Sequence, residues 1–315
     1  MARVVFFGTP DFSIPVLQAL LAEHSVLAVV TQPDRVAGRG LKHIEPSPVK
    51  SLALAHNIEV LQPNRLRHDV ETLKRLRQLQ ADVFVLAAYG QILPATVLEM
   101  APHGCIGVHA SLLPLLRGAA PIAAAILQGH EQTGITLMLT DTGMDSGPII
   151  AQAALPIGPH DTTATLTERL ARLGAELLIH RLPAWLAGEI IPQPQDDHLA
   201  TMAPMISRTD AEIHWEKPAL GIERAVRAFD PWPVAFTTIH GRVLRILSAS
   251  ALPDLTASDL PGTVLDLRPG IGVATGAGVL RLELVQLAGK RAMSAIDLAR
   301  GLRGFIGTRL GVAPQ

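Results

Sequence analysis

The sequence has one cysteine among 315 residues, few aromatic side chains (3%) and few charged ones (17%). A single cysteine excludes a disulfide framework and a zinc cluster built on cysteines. No apolar run reaches the roughly 18 residues that a membrane-spanning helix needs. The first apolar stretch is broken at residues 8–11 by Gly-Thr-Pro-Asp, unlike a signal peptide. Because 48% of the residues are hydrophobic, we expect a large core, and a length of 315 residues predicts about two domains. With neither a membrane span nor a signal peptide in the pattern, we expect a cytoplasmic protein.

The charge of the whole chain gives no evidence for an anionic partner, because the formal net charge is only −1. The two parts of the chain differ, however. Residues 206–315 hold 13 Lys and Arg against 10 Asp and Glu, which leaves 14 against 18 in residues 1–205. This difference is weak evidence for an anionic partner at the C-terminal part, and ordinary scatter of surface charge is the more common explanation.

Strand and helix patterns alternate over the first 110 residues. Short apolar runs rich in β-branched residues predict strands at 4–7, 26–31, 58–61, 81–88 and 105–108. Helices are predicted after a Ser13 cap, after Ser47 and over 68–79, and residues 32–48 are expected to form a long loop. Strands alternating with helices at this spacing predict an α/β fold with a parallel sheet covered on both faces.

The pattern changes in the rest of the chain. Residues 134–155 predict two strands joined by a turn at 142–147, and helical periodicity returns over 163–187. Residues 189–205 predict a linker, so we expect a first domain over 1–188 and a second over 206–315. After a helix near 217–228, the second domain alternates β-rich runs with Gly and Pro turns, at 233–239, 242–248, 263–267, 271–274 and 278–286. This alternation is typical of a small β-barrel or sandwich.

Two side chains lie where chemistry is expected. His109 directly follows a predicted strand, and ligands of parallel sheets bind outside the carboxyl ends of the strands. Asp145 lies in the turn at 142–147, and a carboxylate that orients an imidazole makes an acid–base pair. Each residue also has a structural interpretation. A histidine with no partner visible in the sequence is more often structural than catalytic. An aspartate in a turn often bonds to its own backbone.

The motifs of several other enzyme classes are missing. Residues 8–11 keep only the first glycine of a dinucleotide-binding loop, and Pro10 removes an N–H that such a loop needs, so a nicotinamide enzyme is disfavoured. The sequence has no H-E-x-x-H, Walker or G-x-S-x-G motif, and we therefore expect neither a metal nor a serine nucleophile. The basic residues of loop 32–48 indicate either a solvated insertion or a loop that grips phosphates.

Several segments, in order and at consistent spacing, resemble the methionyl-tRNA formyltransferase family. They include FFGTPDF at 6–12, TQPDR at 31–35, AGRG at 37–40, VHASLLP at 108–114, RGAAPI at 117–122 and PWP at 231–233. The resemblance implies a Rossmann-like catalytic domain followed by an OB-like barrel. It also implies transfer of a formyl group from 10-formyltetrahydrofolate to the α-amine of methionyl initiator tRNA, by a monomer without a metal.

The resemblance also implies roles for particular residues. His109 and Asp145 match the catalytic histidine and aspartate of the family. The folate site is expected at Ser111, Leu112, Leu113 and Pro114. Contacts with tRNA are expected from Arg35, Arg39 and Lys42 in the loop and from Lys290 and Arg291 in the barrel.

Gly107 departs from the family, which has asparagine two residues before the catalytic histidine. An asparagine there would hydrogen-bond the oxygen that becomes anionic during acyl transfer, and losing one such donor typically lowers the rate about 10²–10³-fold. We therefore expect a folded enzyme with reduced activity, in which water or a backbone N–H replaces the asparagine.

Two alternatives stay open at this point. One is a formyltransferase acting on the amine of a nucleotide-linked sugar, but the barrel with residues 229–233 and the AGRG loop favours tRNA. The other is a non-catalytic protein that binds folate and RNA. Gly107 favours that alternative, whereas the presence of both His109 and Asp145 argues against it.

Overall fold

Runs of Val, Ile, Leu and Phe form the strands of a central sheet. The computed structural model describes residues 1–37 and 43–312. The strands in its N-terminal part are β1 (Arg3–Gly8), β2 (Ser25–Val30), β3 (Arg35–Ala37), β4 (His43–Glu45), β5 (Glu59–Leu61), β6 (Val83–Ala87), β7 (Cys105–His109), β8 (Gln132–Leu139) and β9 (Ile149–Pro156). Seven of them form one sheet in the order β5-β2-β1-β6-β7-β8-β9.

The first five strands of that order run parallel, as the sequence predicts, and β8 runs antiparallel to both of its neighbours. Residues 4–8 of β1 are all buried, which is typical of a parallel strand covered on both faces. The sheet is therefore mixed, and the predicted pair of strands around turn 142–147 supplies its antiparallel edge.

Six helices occur between or after these strands in the chain. They are α1 (Ser13–Glu23), α2 (Pro48–Ala55), α3 (Val70–Leu79), α4 (Ala95–Leu98), α5 (Pro121–Gln128) and α6 (Thr163–Leu186). The predicted cap of α2 is confirmed, because Oγ of Ser47 accepts the N–H of Lys50 at 3.1 Å. The predicted cap at Ser13 is wrong. Ser13 is the first helical residue, and its buried hydroxyl donates to the carbonyl of Ala87 at 2.6 Å.

Residues 32–48 are not the plain loop that the sequence predicts. β3 and β4 pair as an antiparallel ribbon, and residues 38–42 between them lie outside the described residues. Asp34, directly before β3, is held by two hydrogen bonds. Its carboxylate accepts from Nζ of Lys50 (2.5 Å) and from Nε2 of Gln62 (2.7 Å). These bonds hold the pKa of the Asp34 carboxyl below its usual range.

The C-terminal part contains α7 (Ala219–Ala228) and α8 (Ala295–Gly301). Its strands are β10 (Phe236–Ile239), β11 (Arg242–Leu252), β12 (Val264–Asp266), β13 (Ile271–Ala274), β14 (Val279–Leu287) and β15 (Met293–Ser294). They form an antiparallel sheet in the order β10-β11-β14-β13-β12, with β15 paired to β14. The β-rich pattern predicted for this part is confirmed, and its strands form an open, half-barrel sheet over a core that includes Trp215, Phe229 and Phe305.

The described chain divides into two units. The first holds Met1–Pro121, Gln132–Pro156 and Thr167–Ala203, and the second holds the other described residues. Segments 122–131 and 157–166 therefore group with the second unit, while 189–203 groups with the first. No helix in the described part of the chain has both the length and the apolar character that a membrane crossing requires.

Candidate active site

His109 is the last residue of β7, a strand in the middle of the larger sheet. Its side chain is buried, and both ring nitrogens face polar atoms. Nε2 donates to the carbonyl oxygen of Leu116 at 3.1 Å, since a carbonyl can only accept. Nδ1 lies 3.6 Å from Oδ2 of Asp145. The structure thus brings together the two residues that the sequence singled out for acid–base chemistry.

Asp145 lies between β8 and β9 with a left-handed backbone (φ +52°), a conformation that aspartate adopts more readily than most residues. Its Oδ2 accepts the N–H of Gly118 at 2.8 Å, across the site rather than within its own turn. The hydrogen bonds within the turn belong to Asp141, which accepts from the N–H of Gly143 and the hydroxyl of Ser146. The Asx-turn interpretation therefore fits Asp141, and the Asp145 carboxylate points towards His109.

Gly107 lies two residues before His109 on β7, so a side chain at this position would share the histidine's face of the sheet. A Cβ there would lie 3.0 Å from Oγ1 of Thr140 and 3.1 Å from Cε of Met138. The Thr140 hydroxyl is itself buried. Residue 107 therefore offers no side-chain donor, and its neighbours leave little space beside it.

The single cysteine begins the same strand. Cys105 is buried, and burial raises the pKa of its thiol to about 12. A thiol with so high a pKa is a poor nucleophile near neutral pH. We therefore assign it to the core, where it packs with Phe7, Phe84 and Tyr89.

The segment predicted to bind folate, residues 111–114, is held by two polar side chains that the sequence did not single out. Thr136 donates to the carbonyl of Ser111 (2.7 Å) and accepts the N–H of Leu113 (3.0 Å). Gln152 donates to the carbonyl of Leu113 at 2.8 Å and to the Thr136 hydroxyl at 2.9 Å. Because these bonds go to backbone atoms of Ser111 and Leu113, they fix the backbone of the segment. The side chains of the same two residues are buried.

Arg117 entered the sequence analysis only as part of the segment at 117–122, with no role of its own, and Gln195 was not singled out at all. Arg117 is 8% exposed, and its guanidinium donates to Oε1 of Gln195 from Nε (3.0 Å) and Nη2 (2.8 Å). Nε2 of Gln195 donates to the carbonyl oxygens of Asp145 (2.8 Å) and Gly147 (2.7 Å). Gln195 lies in the segment predicted as a linker, where no periodic pattern marks it.

The residues predicted to contact tRNA are placed only in part. Lys290 and Arg291 follow β14 in the second unit, and both are exposed. Arg35 belongs to β3, while Arg39 and Lys42 lie outside the described residues. Within the described ranges, no group of three His, Cys, Asp or Glu side chains could hold a metal ion.

Comparison with known families gives the class of protein. The formyl transferase family model matches residues 2–182, and the model of the formyl transferase C-terminal domain matches residues 205–303. This class agrees with a sheet that carries a paired histidine and aspartate at its strand ends.

Relatives that align with nearly the whole chain identify the family within this class. Relatives from Synechococcus sp. (strain JA-3-3Ab), Roseiflexus sp. (strain RS-1) and Methylococcus capsulatus are 49%, 47% and 48% identical to this chain. The alignments cover 98–99% of this chain and 96–99% of the relatives, and all three relatives are named methionyl-tRNA formyltransferase. The chain belongs to the methionyl-tRNA formyltransferase family.

Solved structures with a similar fold are more distant. The sugar 3N-formyl transferase WlaRD, solved with dTDP and 5-N-formyl-THF, superposes with a TM-score of 0.66 at 17% identity, covering 92% of this chain and 99% of that one. HypX from Aquifex aeolicus, in complex with tetrahydrofolic acid, gives a TM-score of 0.62 at 18% identity over 98% of this chain. The chain spans about half of HypX (48%). At these identities the similarity confirms the predicted fold class alone.

Proposed function

We propose that this protein transfers the formyl group of 10-formyltetrahydrofolate to the α-amine of methionyl initiator tRNA, with His109 and Asp145 as its catalytic pair. The observation that carries the proposal is the approach of these two side chains, 3.6 Å apart, at the strand ends of a chain so similar to methionyl-tRNA formyltransferases. Folate is the co-substrate of the reaction, and the amino group of the methionyl ester is the acceptor.

The reaction is an acyl transfer between two nitrogens. The neutral amine attacks the formyl carbon, and the formyl oxygen becomes anionic in the tetrahedral intermediate. The bond from the formyl carbon to the folate nitrogen then breaks. One proton leaves the attacking nitrogen, and one proton is added to the departing folate nitrogen. The site therefore has to accept a proton, return a proton and stabilise an oxyanion.

His109 and Asp145 are suited to the proton transfers. An ionised carboxylate is an acceptor only, so Asp145 takes the proton from the attacking amine, directly or through water. The adjacent His109, with hydrogen on both ring nitrogens, provides the proton for the leaving nitrogen. The separation of 3.6 Å is longer than a hydrogen bond, and catalytic contacts are often long before substrate binds.

The oxyanion has no side-chain donor at residue 107. We assign its stabilisation to a backbone N–H or a bound water together with the charge of His109. Because a donor that is not fixed in place costs reorganisation when the charge develops, this arrangement lowers the rate relative to asparagine.

The remaining roles follow the two parts of the chain. The first domain, 1–188, holds folate along Ser111, Leu112, Leu113 and Pro114. The tRNA contacts come from Arg35, Arg39 and Lys42, and from Lys290 and Arg291 in the second domain, 206–315. The enzyme acts as a monomer in the cytoplasm, where translation begins.

The test is a formylation assay with methionyl initiator tRNA and 10-formyltetrahydrofolate. His109→Gln and Asp145→Asn should each lower kcat by about 10²–10⁴, the usual contribution of general acid–base groups. His56→Gln changes an exposed histidine of the first unit and should keep the full rate.

Three results would contradict the proposal. If either variant keeps the full rate, the catalytic assignment fails. If the native protein formylates a nucleotide-linked amino sugar faster than the tRNA, the substrate class is wrong. If the protein binds tRNA and folate but transfers nothing, the non-catalytic alternative replaces the enzyme.

A further inference from the structure

Gln195 holds the backbone of the turn that carries Asp145. Its amide uses both hydrogens, one on the carbonyl oxygen of Asp145 (2.8 Å) and one on that of Gly147 (2.7 Å). These two carbonyls lie on either side of Ser146, so the amide fixes the course of the chain through the turn. Asp145 itself has a left-handed backbone, a conformation that persists only where its surroundings enforce it.

Arg117 fixes the orientation of this amide. It donates twice to Oε1 of Gln195, and guanidinium nitrogens can only donate. If the amide were reversed, its NH₂ group would face the guanidinium and its oxygen would face two carbonyls. The buried arginine therefore leaves Gln195 one orientation, with its two hydrogens towards the Asp145 turn.

The same short segment contacts both members of the catalytic pair. The carbonyl of Leu116 accepts from Nε2 of His109 (3.1 Å), and the N–H of Gly118 donates to Oδ2 of Asp145 (2.8 Å). Arg117 lies between these two contacts in the chain and reaches the Asp145 backbone through Gln195. The backbone of residues 116–118 and the Gln195 amide thus connect His109 to Asp145 through hydrogen bonds to each.

Backbone pairing on both sides places Gln195. Two residues earlier, Gln193 exchanges hydrogen bonds with Ile149 at 2.8 and 2.7 Å. Further along, Thr201 and Ala203 bond to the N–H and the carbonyl of Arg117 at 2.8 and 2.7 Å. The segment predicted as a linker is therefore attached to the first unit on either side of Gln195.

We propose that Gln195 is a positioning residue for formyl transfer, which holds the Asp145 turn so that its carboxylate faces His109, with Arg117 orienting the Gln195 amide. This inference rests on the proposed function, because it assumes that Asp145 is catalytic. It gives residues 189–203 a part in the active site.

The first test replaces Gln195 by methionine, which has a similar length but neither donor nor acceptor. Single-turnover formyl transfer, with enzyme in excess and folate saturating, should slow by about 10–100-fold, because a small misplacement of a catalytic group is costly. The KM values for tRNA and folate should change less than about threefold, as expected when an interaction made in the transition state is lost. Gln193→Met makes the same substitution at an exposed position of the segment, and it should keep the native rate.

A double-mutant cycle separates positioning from general stabilisation. If Gln195 acts through the Asp145 carboxylate, Gln195→Met should lower the rate less than about twofold in an Asp145→Asn background. An equal loss in both backgrounds would overturn the proposal, because the glutamine would then act elsewhere. Gln195→Glu keeps an acceptor for Arg117 but loses both donors, and it should be as slow as the methionine variant. A glutamate variant with the native rate would also overturn the proposal.

The same variants distinguish failure of the catalytic assignment of Asp145 from failure of the positioning role of Gln195. If Asp145→Asn keeps the full rate, the catalytic assignment under the proposed function fails, whatever Gln195→Met does. If Asp145→Asn is slow while Gln195→Met is as fast as the native protein, only the positioning role fails. Melting temperatures of all variants show whether a loss of rate reflects unfolding instead.

Discussion

At the scale of single residues, Gly107 lacks the side-chain donor that would speed the proposed reaction. It lies on the same face of β7 as His109, and a Cβ at this position meets Thr140 and Met138 at 3.0–3.3 Å. Contacts this short require the neighbours to move by a few tenths of an ångström. The Met138 side chain can rotate its end away, because methionine has three flexible bonds.

We expect Gly107→Asn to raise kcat by up to about 10²–10³, because the amide supplies a fixed donor to the developing oxyanion. Gly107→Ala adds the same Cβ without the amide, and it should bring no gain and a small loss of stability, about 1 kcal/mol, from overpacking. Both rates are measured in the tRNA formylation assay. Either a slow asparagine variant or an equally fast alanine variant would show that the oxyanion donor lies elsewhere.

At the scale of elements, side chains in the first turn of α2 form hydrogen bonds both to the end of β2 and to the segment that leads into β3. The Ser47 hydroxyl accepts the N–H of Lys50 and lies 2.8 Å from the hydroxyl of Thr31 at the end of β2. Lys50 in turn donates to Asp34. Since the pKa of Asp34 is lowered in the folded state, this contact stabilises the fold above the carboxyl's ordinary pKa. The contribution is lost as pH falls through the lowered value.

We expect Ser47→Ala to lower the free energy of unfolding of the first unit by about 1 kcal/mol, the usual cost of losing a serine N-cap. Ser51→Ala changes an exposed serine of the same helix and should change that free energy by less than about 0.5 kcal/mol. Urea unfolding followed by circular dichroism measures both. Equal effects of the two substitutions would mean that the hydrogen bond to Lys50 contributes nothing.

At the scale of the whole molecule, the charge is divided unevenly. Residues 206–315 carry the excess of positive charge, 13 Lys and Arg against 10 Asp and Glu, and the exposed Lys290 and Arg291 lie there. Neutralising a phosphate releases counterions, so contacts of this kind weaken as salt is added.

We expect the KM for tRNA to rise steeply between about 50 and 200 mM salt, while the KM for folate changes little. The double variant Lys290→Glu with Arg291→Glu should raise the KM for tRNA and reduce the slope of log KM against log salt by about 1–2. Lys217→Glu makes the same kind of charge change at another exposed position of the second unit, and it should have a much smaller effect. If the double variant has an unchanged salt slope, these two residues do not bind phosphate.

Local patterns in the sequence predicted much of the fold. The five parallel strands, the Ser47 cap and the β-rich C-terminal runs are set by hydrophobic periodicity and capping, which involve residues close together in the chain. The candidate residues His109 and Asp145 could also be named, because strand ends and turns are visible in the sequence. That their side chains lie 3.6 Å apart could not.

Other features depend on partners far away in the chain. The Ser13 hydroxyl bonds to Ala87 instead of capping its helix, and Gln195 bonds to Asp145 and Arg117. The sequence by itself determined the five parallel strands, the presence of α1, α2, α3, α6 and α7, and the missing donor at Gly107, since each follows from neighbouring residues. Only the tertiary structure decided which polar groups meet. A buried donor or acceptor bonds to whatever partner the fold brings to it, and that partner leaves no trace in local periodicity.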